Sequence, residues 1–307
     1  MSKKNTKTKS LYHPRYWFSW LLVFLAKTII LILPFKVALA LGRLLARVAY
    51  PFLKRRKNIT RINLKLCFPE KNDDEIEKLA KKSFESIGMS AIETLMAWFL
   101  PDWRFKRIPF TLVNFEQFES YYKENKPVII MGGHFTCMEV IGRHVGMCYP
   151  GLNLVYQKHK NPFFEYIMSS SRAKYSQGVE RKDVRGILKV LKRGETLWYA
   201  PDQDLGNERS IFVPFFNIPA ATLIATSWLV KKSNAVMAMG HFRRKEDYSG
   251  YIGVLDEYDE HFASGDDYQD ALRYNQHLEK VIKQYPDQYL WQHRRFKTRP
   301  EGERRFY

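Results

Sequence analysis

Residues 127–139 read PVIIMGGHFTCME, and this stretch sets the frame for the rest of the chain. Val128 to Met131 are apolar without a break, the pattern of a strand buried on both faces. Gly132 and Gly133 follow, residues that let a chain turn sharply and leave room for close approach of a substrate. His134 emerges where the strand ends, and a helical pattern begins at Thr136 and runs to Met147. A buried strand that turns tightly into a helix is the building unit of an α/β fold.

The same stretch carries chemistry. Glu139 lies five residues beyond His134, at the start of the helix, where its carboxylate can turn back toward the imidazole. A carboxylate that holds one ring nitrogen protonated leaves the other free to take a proton from an alcohol. If the acyl donor is already a thioester, no protein nucleophile is needed, and backbone N–H groups near the glycines can stabilise the oxyanion. Spacing alone is weak support, since a lone histidine at a strand end is more often structural. Cys137 is an alternative nucleophile, with a buried structural thiol as the plainer reading. The HExxH pattern is absent, and His134, Glu139 and His144 match no standard zinc spacing, so no metal and no cofactor is expected. No GxSxG elbow or P-loop is present.

Outward from this segment, short apolar runs alternate with helical patterns. Val128–Met131, Leu152–Tyr156, Thr196–Ala200, Ile211–Val213, Val236–Met239 and Ile252–Leu255 read as strands. A helix is predicted from Asp73 to Trp98, another begins at the Asn161-Pro162 cap, and a third runs from Asp183 to Arg193 and stops at Gly194. The expected architecture is α/β, a mixed and largely parallel sheet flanked by helices. Ser169-Ser170-Ser171-Arg172 and Arg181-Lys182 are read as flanking a loop that offers donors to a phosphate or a phosphopantetheine, or as a solvated basic helix end. Asp202 and Asp204 in YAPDQD follow a strand, where they orient sugar hydroxyls or catalytic side chains, or simply form a turn. The final WQHRRFKTRPEGE is too cationic for a core element and is expected to cap the domain or meet anionic headgroups.

The N-terminal part differs in character. Trp17 to Leu33 read WFSWLLVFLAKTIILIL, close to the length of a bilayer crossing and interrupted only by Lys27. Lys3, Lys4, Lys7, Lys9 and Arg15 precede it as a cytoplasmic flank would. A cleaved signal peptide fits less well, because basic residues follow the apolar stretch. From Pro34 to Leu53 apolar residues recur at helical spacing around Arg43 and Arg47, an amphipathic interfacial helix or a helix of the core. The first acidic residue in the chain is Glu70, and the formal net charge is +18, which implies a polyanionic partner. Residues 1–69 are therefore set apart as a membrane anchor and basic interfacial region, and 70–307 as the catalytic domain. Cys67, Cys137 and Cys148 form no paired framework and are expected to be reduced thiols.

Taken together, HPRYW at His13, NLKLCFPE at Asn63, ESIGMSAIETLMAWF at Glu85, HFTCME at His134, RKDVRGILKVLKRGE at Arg181, WYAPDQD at Trp198 and QYLWQHRRFKTRPEG near the end resemble the bacterial late acyltransferases of lipid A biosynthesis. That family is related to the lysophospholipid acyltransferases. The resemblance covers nearly the whole chain, and HPRYW and NLKLCFPE look more like the lauroyl and palmitoleoyl branch than the myristoyl branch. It implies His134 and Glu139 as the catalytic dyad, with Arg172 and Asp202 as further polar residues of the active site. Gly132 and Gly133 are taken as substrate-contacting backbone. It further implies an acyl-carrier-protein thioester as donor, a Kdo-bearing lipid A precursor as acceptor, and a place on the cytoplasmic side of the inner membrane. Glycerol-phosphate acylation is the alternative within the enzymes. A non-catalytic membrane or nucleic-acid binder is the alternative outside them, but no nucleic-acid motif is present and no nucleic-acid partner is expected.

Overall fold

A computed structural model describes residues 10–208 and 210–307 of the chain. The basic flank Lys3 to Lys9 lies outside the described residues. The order begins with α1 (Trp17–Ile32), α2 (Phe35–Ala49), α3 (Lys54–Cys67), α4 (Asp73–Phe99) and the short α5 (Asp102–Phe105). It continues through β1 (Phe110–Val113), α6 (Glu116–Lys123), β2 (Val128–Met131), α7 (Met138–Cys148), β3 (Asn153–Tyr156), α8 (Pro162–Arg172), β4 (Gln177–Glu180), α9 (Val184–Lys192) and β5 (Thr196–Tyr199). The hairpin β6 (Ser210–Phe215) and β7 (Ile218–Leu223), α10 (Ala225–Ser233), β8 (Val236–Arg244), β9 (Tyr251–Asp259) and α11 (Asp267–Gln284) complete it.

Seven strands form one sheet in the order β1-β9-β8-β2-β5-β3-β4, in which only the β8–β9 pair is antiparallel. β2 is central, and alternation along it divides the core. Val128 and Ile130 face the layer that holds α4, α6, α7 and α8. Ile129 and Met131 face the layer that holds α9, α10, α11 and the C-terminal segment. The mixed, largely parallel sheet flanked by helices is thus the fold. Ile211–Val213 belongs instead to the β6–β7 hairpin, a separate two-stranded sheet closed by Phe216 and Asn217 at φ 50° and 60°.

The long α4 starts on a capping box, Asn72 accepting from the amides of Asp74 and Glu75 while Glu75 accepts from the Asn72 amide. α2 lies against it where two glycines meet. A Cβ on Gly42 would sit 2.5 Å from the Gly88 carbonyl oxygen, and one on Gly88 2.1 Å from that of Gly42. Ser169 to Arg172, expected beside a loop, form the last turn of α8.

The cationic C-terminal stretch places part of itself in the core, where its charge argued against one, and leaves Lys297, Glu301 and Glu303 exposed. Trp291 and Phe296 are buried, as is Arg295, whose charge is answered locally. Arg295 donates to the Ala221 carbonyl at 2.7 Å and to Thr222 Oγ1 at 3.0 Å. Asn63 of α3 donates to the carbonyls of Trp291 and His293, both at 2.7 Å. Asp204 accepts from the Thr298 amide at 2.6 Å, so the second aspartate of YAPDQD anchors this segment.

Two histidines, His144 buried and His293 half-buried, make stability fall with acid. Burial, aided by Arg143, pushes His144 down to about 3 as it lies stacked on Phe110. Burial likewise pushes His293 down to about 4, where its Nε2 accepts from the Asp204 amide. An unfolded chain takes up these protons near pH 6.5 and the folded one does not, so each whole pH unit between about 6 and 4 removes up to roughly 1.4 kcal/mol per histidine. Urea unfolding at a series of pH values should show this slope, and His144→Leu should reduce it. An unchanged slope in that variant would assign the acid sensitivity elsewhere.

Candidate active site

β2 and β5 are adjacent and parallel, with Met131 paired to Tyr199. His134 and Asp202 each lie three residues beyond that register pair, so both chains leave the sheet at the same edge and bring these side chains together. Asp202 Oδ1 lies 2.5 Å from His134 Nδ1, and Oδ2 accepts from the His134 amide at 2.8 Å and from the Tyr289 hydroxyl at 3.0 Å. Burial alone would push the Asp202 carboxyl up. The charge and hydrogen bonds of His134, with the Tyr289 hydroxyl, outweigh it and hold the group at about 2. At neutral pH the ionised Asp202 accepts from Nδ1–H, and Nε2 has no partner among the described residues.

The expectation that Glu139 turns back to the imidazole is therefore corrected. Glu139 sits in the first turn of α7 and points toward α8. Its Oε2 accepts from Trp98 Nε1 at 3.1 Å, Arg172 Nε at 3.2 Å and the Tyr175 hydroxyl at 3.5 Å, while its other oxygen accepts from Arg172 Nη2. No hydrogen bond joins it to His134 among the described residues. Burial opposes the charge on Arg172, but Glu139 more than offsets it and raises the guanidinium above its ordinary value. The Glu139–Arg172 pair is a fixed unit, so Arg172 presents a cation in a set orientation.

His134, Glu139 and Arg172 all line one cavity of about 280 Å³. Ile141, Val145, Leu152, Leu154, Met168 and Phe242 make its walls apolar, and Arg181 adds a second cation. An apolar cavity with a few converging polar groups is the shape of a small-ligand site.

Gly132 and Gly133 do not line this cavity, and neither adopts a left-handed conformation. Their smallness serves internal packing. A Cβ on Gly133 would lie 2.5 Å from Leu278 Cδ1 and 3.6 Å from Asp202 Oδ2, and the Gly132 carbonyl accepts from the Tyr274 hydroxyl at 2.8 Å. The amides of Gly132, Phe135 and Thr136 are spent on the carbonyls of Tyr199, Gly133 and Gln288. The amides of Gly133, Cys137, Met138 and Glu139 donate to no acceptor among the described residues, and of these Met138 and Glu139, in the first turn of α7, line the cavity.

The cysteine alternative does not survive burial. Cys137 is fully buried with its thiol toward the Phe242 carbonyl at 3.5 Å, and burial pushes it up to about 12. Among the described residues no three His, Cys, Asp or Glu side chains converge as a metal site.

Tyr289 is the functional candidate that the residue pattern did not reveal. It holds the His134 loop from a distant part of the chain: Leu290 donates its amide to the His134 carbonyl at 3.0 Å, Thr136 donates to that of Gln288 at 2.8 Å, and Phe135 bridges Tyr289. Only the QYLWQHRR resemblance pointed to this stretch.

Comparison with known proteins gives the family. Residues 4–298 match the family described as bacterial lipid A biosynthesis acyltransferase. The chain is 39% identical over 302 residues to the lipid A biosynthesis palmitoleoyltransferase of Escherichia coli (strain K12), covering 98% of this chain and 97% of that one. It is 39% identical over 295 residues to the lauroyltransferase of the same organism, covering 95% of each. With that organism's myristoyltransferase the identity is 28% over 302 residues, 96% of this chain and 91% of the relative. The chain belongs to the bacterial lipid A biosynthesis acyltransferases, on the side of the lauroyl and palmitoleoyl enzymes.

Proposed function

We propose that the protein moves a fatty acyl group, lauroyl or similar, from an acyl-carrier-protein thioester to the 3-hydroxyl of an acyl chain on a Kdo-bearing lipid A precursor, at the cytoplasmic face of the inner membrane. The observation that carries this reading is an imidazole, oriented by a buried aspartate, on the wall of an apolar cavity that also holds two arginines.

The acceptor hydroxyl gives its proton to His134 Nε2 as its oxygen attacks the thioester carbonyl. The tetrahedral oxyanion is met by the first-turn amides of α7. Collapse breaks the carbon–sulfur bond, and the carrier thiolate leaves with the proton returned from the imidazolium. Asp202 fixes the ring and balances its transient charge. Glu139 acts on substrate through Arg172, whose guanidinium, with Arg181, suits the phosphates of donor or acceptor. The formal net charge of +18 favours both anionic substrates and an anionic membrane. The apolar helix Pro14–Ile32 supports the membrane reading.

Purified protein given lauroyl and palmitoleoyl carrier thioesters with the Kdo-bearing precursor should yield a lipid heavier by one acyl ester, and His134→Ala should abolish it. Acylation of a lysophospholipid in place of the precursor, or full activity in His134→Ala, would overturn the reading.

Tyr289→Phe separates orientation from mere packing. Without the phenol, the Asp202 carboxylate holds the imidazolium more strongly. The acid limb of the kcat/KM profile should therefore move to higher pH, by roughly 0.5 to 1. A uniform loss of activity with an unmoved limb would make Tyr289 a packing residue only.

A further inference from the structure

We propose that the protein docks flat on one leaflet of an anionic bilayer, through the outward faces of α1 and α2, with both ends of α1 on the side of the catalytic domain. The inference rests on the membrane reading above and deepens it from association to topology.

By length and composition, Pro14–Ile32 is sufficient to cross a bilayer. Its contacts argue against crossing. Near its start, Tyr16 stacks on Phe163 of α8 with ring centroids 5.6 Å apart, and Trp20 meets the same ring edge-on at 5.0 Å. Near its end, Ile30 is 1% exposed, and Arg104 of α5 donates to the carbonyls of Leu31 and Leu33. One globular domain thus holds the helix at both ends. A crossing would draw α5, α8 and the loops around them through the hydrocarbon, where irregular, polar backbone is excluded.

The outward face fits the flat arrangement. Phe18, Phe24 and Ile32 of α1 are exposed, and Lys27, also exposed, lies in the second half of the helix. In a crossing helix this lysine would lie within the hydrocarbon and have to snorkel to one interface, whereas beside a flat helix it reaches the headgroups directly. Val37, Leu44 and Val48 continue the exposed apolar surface along α2, whose opposite face packs on α4 through Ala38, Leu39 and Gly42. The surface ends at Phe52, 79% exposed, followed at once by the exposed Lys54 and Arg55. An apolar band bordered by cations is complementary to an anionic leaflet. α8, which packs on α1 through Phe163, also carries Met168 and Arg172 into the cavity. Flat docking therefore seats the cavity one helix away from the lipid.

The test uses the full chain bound to sealed vesicles of phosphatidylethanolamine and phosphatidylglycerol. One exposed cysteine at a time is placed by Tyr12→Cys, Lys36→Cys and, as a reference on the catalytic domain, Lys232→Cys, each with Cys148→Ser, while Cys67 and Cys137 stay buried. An impermeant maleimide added outside should label all three alike. Labelling of Tyr12→Cys and Lys36→Cys from opposite sides would overturn the flat topology while leaving the membrane reading intact. Failure to co-sediment with any vesicle would remove the membrane reading itself. Leu44→Asp/Val48→Asp should weaken vesicle binding at least tenfold. Lys54→Glu/Arg55→Glu, fully surface changes, should weaken it about tenfold on anionic vesicles only. A lipid-insensitive particle of twice the chain mass would assign the apolar band to a second copy and overturn the proposal.

Discussion

Asp202→Asn is expected to lower kcat by about 10³ to 10⁴-fold while KM changes little, because an asparagine in this place no longer fixes the imidazole with Nδ1 protonated and Nε2 free. The change is nearly isosteric, and the Tyr289 hydroxyl retains an oxygen to donate to, so the fold should persist. The ionised carboxylate also contributes stability. Held at about 2 against an ordinary 3.8, it binds fewer protons folded than unfolded, so its contribution is present above about pH 4 and lost as pH falls toward 2. At neutral pH the loss in kcat is thus the larger signature. Glu139→Gln provides the contrast. It frees Arg172 and should lower activity by roughly 10 to 100-fold with its main effect on KM, since one charge-assisted contact to substrate is misplaced. Its acid limb should stay where it is. The reverse pattern, a displaced limb in Glu139→Gln and an intact one in Asp202→Asn, would return the imidazole to Glu139. Steady-state kinetics across pH on the purified variants decides between them.

The reason this pairing was hard to read lies in register. Val128–Met131 and Thr196–Tyr199 are legible as strands because continuous apolar runs leave little alternative. That they are neighbours, with Met131 opposite Tyr199, is a fact of topology that no local pattern contains. Once the register is known, MGGH and YAPD align, and His134 meets Asp202 with no further assumption. Glu139, nearer in sequence, is carried away by the helix it starts. β1 and β4 went unread because FTLV and QGVE are short edge strands, with alternate residues exposed along FTLV and nearly all of QGVE exposed, so they carry little of the buried-strand signal. WQHRRFKTRP misled by composition, since cations signal surface unless carbonyls wait for them, as those of Ala221 and Pro219 wait for Arg295 and Arg299. The helix caps were legible because they are local. Asn161 with Pro162 caps where expected, and the helices expected from Asp73 and from Asp183 begin there, on caps at Asn72 and Asp183.

Arg244→Met is expected to lower the unfolding free energy by about 3–5 kcal/mol, the cost of leaving a buried charge without its partner. Arg244 and Glu93 have side chains only 1% exposed. Glu93 accepts from Arg244 Nε and Nη2, the latter at 2.7 Å, and from the Tyr251 hydroxyl at 2.7 Å. Arg244 Nη1 donates to Ser86 Oγ at 2.7 Å, and Ser86 Oγ lies 2.7 Å from Thr136 Oγ1. The Arg244 amide donates to Gln288 Oε1 at 2.8 Å, and the Gln288 carbonyl accepts from Thr136. One ion pair therefore ties α4, β8 and β9 to the two segments that flank His134. Glu93→Leu alone should cost a similar amount by stranding the guanidinium. The double variant should recover much of the loss, because a well-filled apolar site is often as stable as a buried pair. Denaturant unfolding in detergent measures the cycle. Additive losses in the double variant would mean that the two groups do not act as a pair. Residual activity reports on the site separately: a double variant that regains stability but not rate would show that the network positions the His134 loop as well as stabilising the fold.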